Sequence, residues 1–491
     1  MKNFLKKDGI RLNQKIMANA EHYQTWHDAA RQLDKLEGNE NWKHVEATEE
    51  YDWQFIKNQV HVIRNLRESR QFLDLIYHLR GALHQNLGNI SNPKLYTHTR
   101  TGTKYLIDEY ITEVVTSLNA LLNEEIDGFS VHDKLEFFEE TSTSYGRAAL
   151  LLSGGAGLGF FHLGLVKTLL EHSLLPRVIS GSSAGSIIAS IVGCYSDKGL
   201  HSTFDPDNYE IRIWKWLSLK DIWREKHLIN SQLLWDTIRQ FVGEKTFEEA
   251  YDKTGRSINI TISPEKENQI PRLLNHLTTP HLYIWNSVLA SCAVPGLFPP
   301  VPLTSKDRLG SSVAYMPSQL WVDGSLKGDL PMRRLSRLYN VNRFITSQAN
   351  PYVLPFLTDR AKWNKWGNDT ISLVNSELKL MGRYALDWVS SHSKSGLLHM
   401  TLDNAIYLLT QSYWGDITIH PSSSLANYRR ALTDPSKDDI RAMILEGERA
   451  TWPKLSIMRN QTLIGHTLDY CVLKAKKLQD HQKKEQAQSP E

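Results

Sequence analysis

A serine between two glycines is the residue of this sequence best suited to covalent chemistry. Ser183 lies in the run Gly181-Ser-Ser-Ala-Gly185, which follows the apolar pair Val178-Ile179 and precedes a second apolar stretch. A nucleophile on a strand-to-helix turn needs small residues two positions away on either side, because the backbone there is strained and crowded. The spacing alone also fits an ordinary glycine turn, but the flanking strand and helix patterns favour a nucleophile. We therefore predict that Ser183 attacks a substrate and that Gly181 and Gly185 form its elbow.

A glycine-rich loop, Ser153-Gly-Gly-Ala-Gly-Leu-Gly159, closes the preceding apolar run. Glycines leave backbone N–H groups free to point at an anion, and a following helix N-terminus reinforces the effect. One use of such a loop is dinucleotide binding, but Gly154, Ala156 and Gly159 match that fingerprint only with alanine in the central position. The other use is an oxyanion hole for acyl transfer. Because a cofactor loop leaves Ser183 without a role, the sequence favours an acyl-transfer hydrolase over a dinucleotide-binding protein.

An aspartate at the end of a later apolar run is the candidate base. Asp323 follows Leu320-Trp-Val322 and precedes a Gly-Ser turn, so it can lie at the carboxyl end of a strand near Ser183. An isolated aspartate, with a pKa of about 3.9, is a weak base, and burial would have to raise that value. Downstream histidines are the alternative, although none lies in a comparable strand-end context: His392, His399, His420 and His466. The sequence favours a dyad of Ser183 and Asp323.

The elements around these residues are predicted to alternate between strands and helices. Two strands, at residues 147–153 and 177–180, are each followed by a helix, at residues 160–172 and 184–194. This alternation is typical of βαβ units and a parallel sheet. Further strands are predicted at residues 257–262, 320–322, 343–346 and 417–419. The sequence therefore predicts an α/β core over residues 146–350.

The remaining segments are predicted to be helical or polar. Residues 1–145 carry apolar residues at three-to-four spacing, which predicts a helical N-terminal accessory domain. Residues 351–470 are expected to form a mainly helical C-terminal region that completes or covers the core. Residues 471–491 are expected to form a charged, fraying tail.

The composition limits the class of protein. Apolar residues make up 41% of the 491 positions, enough for a sizeable core, and a net charge of +3 gives no general affinity for nucleic acid. Three widely separated cysteines argue against a disulfide framework and for a reducing compartment. The basic start lacks an apolar signal region, and no stretch of the sequence resembles a membrane span. We expect a cytoplasmic protein with, at most, peripheral membrane contact.

Taken together, the motifs resemble those of the patatin-like lipid acyl hydrolases. The Gly154–Gly159 loop, the Gly181–Gly185 elbow and the Asp323-Gly-Ser turn occur in the order and spacing of that family. The N-terminal region and the run Ala290–Pro300 are similar to one subgroup, which includes yeast lipid-droplet and plant seed triacylglycerol lipases and bacterial relatives. The resemblance implies a patatin-like three-layer α/β/α core with a mainly parallel sheet, flanked by N-terminal and C-terminal helical regions.

The resemblance also implies what each site residue does. It makes Ser183 the nucleophile and Asp323 the base, with no catalytic histidine, no metal and no cofactor. It assigns the oxyanion hole to the backbone N–H groups around Gly154, Gly155 and Ala156. The reaction that it implies is hydrolysis of the carboxylic esters of glycerolipids, with release of fatty acids.

The substrate is expected to be triacylglycerol. Plant storage patatins carry arginine or lysine where Leu158 stands and aspartate where Ser153 stands, and the missing cation favours a neutral lipid. A phospholipase A or lysophospholipase with the same dyad is one alternative, and a catalytically inactive lipid-binding scaffold is another. Such substrates imply contact with a membrane or lipid-droplet surface. Tryptophans are candidates for that contact, with core packing as their alternative role: Trp214, Trp216, Trp223, Trp235, Trp363, Trp366 and Trp388.

Overall fold

The computed structural model describes residues 2–208, 217–225, 227–266, 269–351, 353–354, 414–422 and 433–488. Helices predicted from sequence at residues 371–390 and 402–409 lie outside the described residues. Among the described helices, none combines the length and the apolar composition that crossing a bilayer requires.

The N-terminal region is built from helices. They are α1 (Lys2–Asn19), α2 (Tyr23–Glu37), α3 (Glu40–His44), α4 (Trp53–Glu68), α5 (Phe72–Ala82), α6 (Tyr105–Asn123) and α7 (Val131–Tyr145). Apolar residues recur every three or four positions on α4 and α6, so each helix has one apolar face. Ile56, Ile63, Ile107 and Val114 come from these faces and are fully buried in one cluster.

The core alternates strands and helices as far as β3 and is less regular beyond it. In chain order it contains β1 (Arg147–Leu152), α8 (Phe161–Glu171), β2 (Val178–Gly181), α9 (Ala184–Cys194), α10 (Asp197–Leu200), α11 (Leu219–Glu225), α12 (Gln232–Val242), α13 (Phe247–Thr254), β3 (Ser257–Pro264), β4 (Arg272–Leu274), α14 (Ile284–Ser291), β5 (Leu303–Lys306), β6 (Ser312–Tyr315), β7 (Trp321–Asp323), α15 (Ser325–Gly328), α16 (Met332–Tyr339) and β8 (Val341–Ser347). After it come β9 (Ile417–Ile419), α17 (Lys437–Thr451) and α18 (Leu455–Gln488).

Within the described residues, seven strands form one mixed sheet. Its order is β4-β3-β2-β1-β8-β9, and β7 pairs with β3 beside this path. The pairs β1–β2, β2–β3, β1–β8 and β8–β9 are parallel, whereas β4 and β7 run antiparallel to β3. The predicted mainly parallel sheet is therefore confirmed. Because β9 pairs with β8, the sheet includes a strand from the region after residue 350, which the sequence analysis expected to complete or cover the core.

Helices cover both faces of this sheet. Successive side chains of β1 point to opposite faces, so Leu150 packs with α8, α9 and α17 while Leu151 packs with α16. A strand that is buried on both faces has to be apolar throughout, which explains the unbroken apolar run in β1. The result is the predicted three-layer α/β/α arrangement.

Helix α18 joins the two halves of the molecule. Cys471, Val472 and Ala475 on this helix are buried in the cluster formed by the N-terminal helices, and Ala475 is only 1% exposed. The structure thus places residues 471–488 in a continuous helix, where the sequence analysis expected a fraying tail. The reason is that apolar residues at helical spacing lie among the charged ones and pack against α6 and α7.

Candidate active site

Ser183 occupies a strained turn between β2 and α9. Its backbone angles are φ 50° and ψ −126°, a conformation that a residue with a side chain rarely adopts. A Cβ on Gly181 would overlap the carbonyl of Gly185, and a Cβ on Gly185 would overlap the carbonyl of Leu152. The two flanking glycines are therefore sterically required. The turn is held by the Ser183 N–H, which donates to Ser291 Oγ at 2.9 Å.

Asp323 ends strand β7, next to this turn. It is only 1% exposed, and its Oδ1 accepts the N–H of Ser325 at 2.7 Å. Its Oδ2 is buried and accepts no hydrogen bond of standard geometry from the described residues. Burial raises the pKa of Asp323 to about 6, against smaller lowering effects from hydrogen bonding by Ser325 and by the Ser183 side chain. The Ser183 hydroxyl thus acts on the pKa of this carboxylate.

A second buried carboxylate, Asp329, connects the glycine loop to the Ser183 turn. Its Oδ1 accepts the N–H of Gly154 at 2.9 Å and also the hydroxyl of Ser182, the residue before Ser183. Burial, with a smaller contribution from the neighbouring Asp323, raises the pKa of Asp329 to about 7, against lowering effects from the hydrogen bonds of Ser182 and Gly154. The sequence analysis gave Asp329 no role. An acidic residue six positions after the candidate base was the available signal, but its partners are far away in the sequence.

The glycine loop presents two unoccupied N–H groups. Gly154 lies against the turn, since an added Cβ would come within 3.4 Å of Ser183 Cβ. However, its N–H already donates to Asp329. Within the described part of the chain, the N–H groups of Gly155 and Ala156 have no such acceptor. Ala156 has a positive φ of 48° and begins a short 3₁₀ turn. Of the three donors predicted for an oxyanion hole, two therefore remain available.

His162 connects the start of the glycine loop to β8. Its Nδ1 lies 2.7 Å from Ser347 Oγ and its Nε2 lies 3.1 Å from the carbonyl oxygen of Ser153. Burial lowers the pKa of His162 to about 4, so the ring is neutral near pH 7. Among the histidines named above as alternative bases, His392 and His399 lie outside the described residues. His420 contacts the Pro421 carbonyl through Nδ1 at 3.0 Å.

An apolar cavity opens beside the turn. It begins at Ala156, which carries one of the two unoccupied N–H groups, and at Ala184, which follows Ser183. From there it continues between α9 and α12. The lining is almost entirely apolar: Ala156, Gly159, Phe160, Leu163, Ala184, Ile187, Ile188, Ile191, Thr203, Thr237 and Phe241. A hydrocarbon chain attached to a carbonyl group at Ser183 has an apolar environment there.

Comparison with known proteins now identifies the family. Residues 150–335 match the family described as patatin-like phospholipase, and residues 5–143 match a domain of unknown function, DUF3336. The chain is 31% identical to triacylglycerol lipase ptl3 of Schizosaccharomyces pombe, over 94% of this chain and 96% of that protein. The chain belongs to the patatin-like phospholipase family. The resemblance seen in the sequence is confirmed, and the family is one of carboxylic ester hydrolases.

Two longer relatives cover the same part of this patatin-like chain. Triacylglycerol lipase SDP1L of Arabidopsis thaliana is 36% identical over 93% of this chain and 58% of its own length. Triacylglycerol lipase 4 of Saccharomyces cerevisiae is 36% identical over 93% of this chain and 53% of its own length. The chain thus spans a little over half the length of these two relatives.

Proposed function

We propose that this patatin-like chain hydrolyses the carboxylic esters of glycerolipids through a dyad of Ser183 and Asp323. The observation that carries the proposal is the strained Ser183 turn beside a buried aspartate whose Oδ2 is open to a proton. A pKa of about 6 makes Asp323 a better base at neutral pH than an exposed aspartate. The N–H groups of Gly155 and Ala156 belong to the loop that contacts this turn at Gly154, and such free donors are suited to an oxyanion.

The reaction follows from this arrangement. Oδ2 of Asp323 accepts the proton of the Ser183 hydroxyl as Oγ attacks the ester carbonyl carbon. The N–H groups of Gly155 and Ala156 stabilise the oxyanion of the tetrahedral intermediate, and Asp323 returns the proton to the departing alcohol. A water molecule deprotonated by Asp323 then attacks the acyl carbon of the acyl-enzyme. The bond to Ser183 Oγ breaks, Asp323 returns the proton to Oγ, and the fatty acid leaves. Asp329 takes no proton in these steps; it fixes the loop relative to the turn.

Triacylglycerol is the substrate that the observations favour. The three relatives described above are all named triacylglycerol lipases. Leu158 in the glycine loop is buried, so this position offers no cation to a phosphate headgroup. Hydrolysis of emulsified trioleoylglycerol, compared with phosphatidylcholine and lysophosphatidylcholine, tests this choice. Faster cleavage of either phospholipid would instead support the phospholipase A or lysophospholipase alternative.

A lipid surface is the proposed partner, and it fits exposed apolar side chains of the core region. Ile270 precedes β4 and Leu309 lies at the tip of the β5–β6 hairpin, and both are largely exposed. Trp223 on α11 is also exposed, whereas Trp235 packs against Trp285. Apolar and tryptophan side chains of this kind bind at the boundary between headgroups and acyl chains. Five of the candidate tryptophans lie outside the described residues: Trp214, Trp216, Trp363, Trp366 and Trp388.

Labelling with a fluorescent fluorophosphonate tests the dyad directly. We expect the wild-type chain to be labelled and Ser183→Ala and Asp323→Asn to be unlabelled. Ser202→Ala, which removes an exposed hydroxyl outside the site, is the matched control and should be labelled normally. Labelling of Asp323→Asn at the wild-type rate would exclude Asp323 as the base. A folded wild-type chain that never reacts would instead be the inactive lipid-binding scaffold.

A further inference from the structure

A second cavity lies at the junction of three parts of the chain, away from Ser183. Its volume is about 450 Å³, and its walls come from α2, α3 and α6 of the N-terminal region, from the end of α8 in the core, and from α18. Small-molecule sites in proteins have volumes of roughly 300 to 1,000 Å³. We call this space the seam cavity. It takes no part in the proposed reaction.

The cationic side chains of the seam cavity differ in how many hydrogen bonds and ion pairs they form. Lys43 is almost buried, and its Nζ donates to Glu40 at 2.9 Å and to Thr101 at 3.1 Å. Arg31 and Arg459 also line the cavity, yet neither forms an ion pair with a residue that the structure describes. The cavity therefore contains two guanidinium groups with unused donors.

The carboxylates of the cavity already have donors of their own. Glu40 accepts hydrogen bonds from Tyr105 at 2.7 Å and from Lys43. Asp108 accepts the side-chain amide of Asn460 at 2.9 Å, and burial raises its pKa. Three cations thus face two carboxylates, which leaves an excess of one positive charge. Arg31 acts to lower the pKa of Glu40 and Arg459 acts to lower that of Asp108, but neither arginine forms an ion pair with them.

We propose that the seam cavity binds a phosphate monoester of a small polyol, held by Arg31 and Arg459. The planar guanidinium fork matches the geometry of phosphate oxygens, and a phosphate can accept from two such forks at once. Hydroxyl groups of Tyr105 and Ser456 also line the cavity and suit the hydroxyls of a polyol. Such a ligand would connect α2 to α18. The proposal does not depend on the hydrolase activity, because binding is measured without turnover.

Two sources can supply this chemistry, and the experiment separates them. Calorimetric titration of the full chain uses glycerol 3-phosphate as the soluble probe and glycerol as its phosphate-free control. Vesicles of phosphatidylcholine, with and without phosphatidic acid, present the same monoester as a lipid headgroup. Saturable binding of glycerol 3-phosphate supports a soluble ligand, whereas binding only to vesicles that contain phosphatidic acid supports a headgroup.

Arginine substitutions locate the binding. Removing one charge-assisted contact is expected to weaken binding about tenfold to a hundredfold, so Arg31→Gln and Arg459→Gln should each show such a loss. Arg11→Gln removes an exposed arginine of α1 outside the cavity and should bind as the wild type does. Both cavity arginines are exposed, so neither substitution leaves a buried group without a partner.

Three results would overturn the proposal. They are no binding of either monoester probe by the folded chain, binding that survives in both cavity variants, and an equal loss in Arg11→Gln. The last result would mean that the phosphate responds to the general surface charge. Arg31→Lys, which keeps the charge but loses the fork, is expected to bind more weakly than the wild type and more tightly than Arg31→Gln.

Discussion

The active site and the seam cavity are formed by different kinds of chemical groups. The active site relies on backbone N–H groups, glycines in close contact, and the buried carboxylates Asp323 and Asp329. The seam cavity relies on long charged side chains that extend from regular helices, such as Arg31 on α2 and Arg459 on α18. A substitution in the first region therefore disturbs geometry and buried charge together. A substitution in the second removes one solvated contact and leaves the fold intact.

Removing the proposed nucleophile should give the largest difference in hydrolysis rate between substitutions in the active site and substitutions in the seam cavity. Ser183→Ala is expected to lower hydrolysis of a soluble p-nitrophenyl ester by at least about 10³-fold, since the covalent step is lost. Its free energy of unfolding should change little, because the side chain is only half-buried and the backbone strain remains. Arg31→Gln should hydrolyse the same ester at the wild-type rate. An effect of Arg31→Gln on this rate would show that the regions are coupled.

Asp329 offers a second test, in which stability and activity change together. Asp329→Ala leaves the Gly154 N–H without an acceptor, at a cost of about 1–3 kcal/mol for a buried donor, and leaves the Ser182 hydroxyl only the backbone carbonyl of residue 329 as an acceptor, at 3.3 Å. We expect urea unfolding at lower concentration and a kcat that falls more than KM changes, since the oxyanion loop loses its position. Asp329→Asn retains one acceptor oxygen and should recover most of both properties. Equal loss of kcat in the two variants would assign Asp329 a direct role in proton transfer.

The pH dependence should run in opposite directions for activity and stability. The proposed mechanism requires ionised Asp323, so kcat/KM is expected to rise about tenfold per pH unit below its pKa of about 6 and then level off. Burial raises the pKa of Asp323 from 3.8 in the unfolded chain to about 6 in the folded chain. The contribution of Asp323 to stability is therefore complete below pH 3.8 and is lost as pH rises through 6.

The Asp323→Asn variant removes that contribution, together with the smaller effect of the Asp323 charge on Asp329. Relative to the wild type, it should gain on the order of 3 kcal/mol in free energy of unfolding between pH 4 and pH 8. Urea unfolding at both pH values measures the difference. A constant difference between the two proteins would show that Asp323 does not titrate between these limits.

The smallest expected effect comes from a comparison of an exposed apolar residue of the core with one of the N-terminal helices. Leu309→Asp is expected to raise the apparent KM for emulsified trioleoylglycerol several-fold and to leave the soluble ester unaffected, since it weakens only surface binding. Tyr77→Asp, on α5 of the N-terminal region, is the matched control: Tyr77 is 83% exposed and Leu309 is 90% exposed. Equal effects of the two substitutions would mean that the orientation toward lipid is not defined by the hairpin.

The parts of the molecule that the sequence predicts are those with local signals. The turn at Ser183 requires glycines two positions away on each side, so a window of five residues contains the whole pattern. The apolar run of β1 reflects burial on both faces of a central strand, and that burial makes the strand recognisable without its partners. The mainly parallel sheet followed from two such strand–helix repeats.

The remaining features depend on residues far apart in the chain. Asp329 binds Gly154, which lies 175 positions away, and this contact removes one of three expected oxyanion donors. Nothing near Gly154 in the sequence indicates that its N–H is already used. The seam cavity likewise combines short segments of the N-terminal region, the core and α18. The helical character of residues 471–488 was missed because charged residues dominate the composition there, although apolar positions keep helical spacing.

The burial of α18 among the N-terminal helices has a consequence for how the chain is made. Residues such as Ile464 and Leu468 complete the cluster that α4, α6 and α7 begin. More than three hundred residues separate α7 from these positions, and at about 5–20 residues per second their synthesis takes roughly 15 to 65 seconds. During that interval the N-terminal helices have an uncovered apolar face. We therefore expect a nascent chain of this protein to bind chaperones that recognise exposed apolar surface, until α18 has left the ribosome and docked.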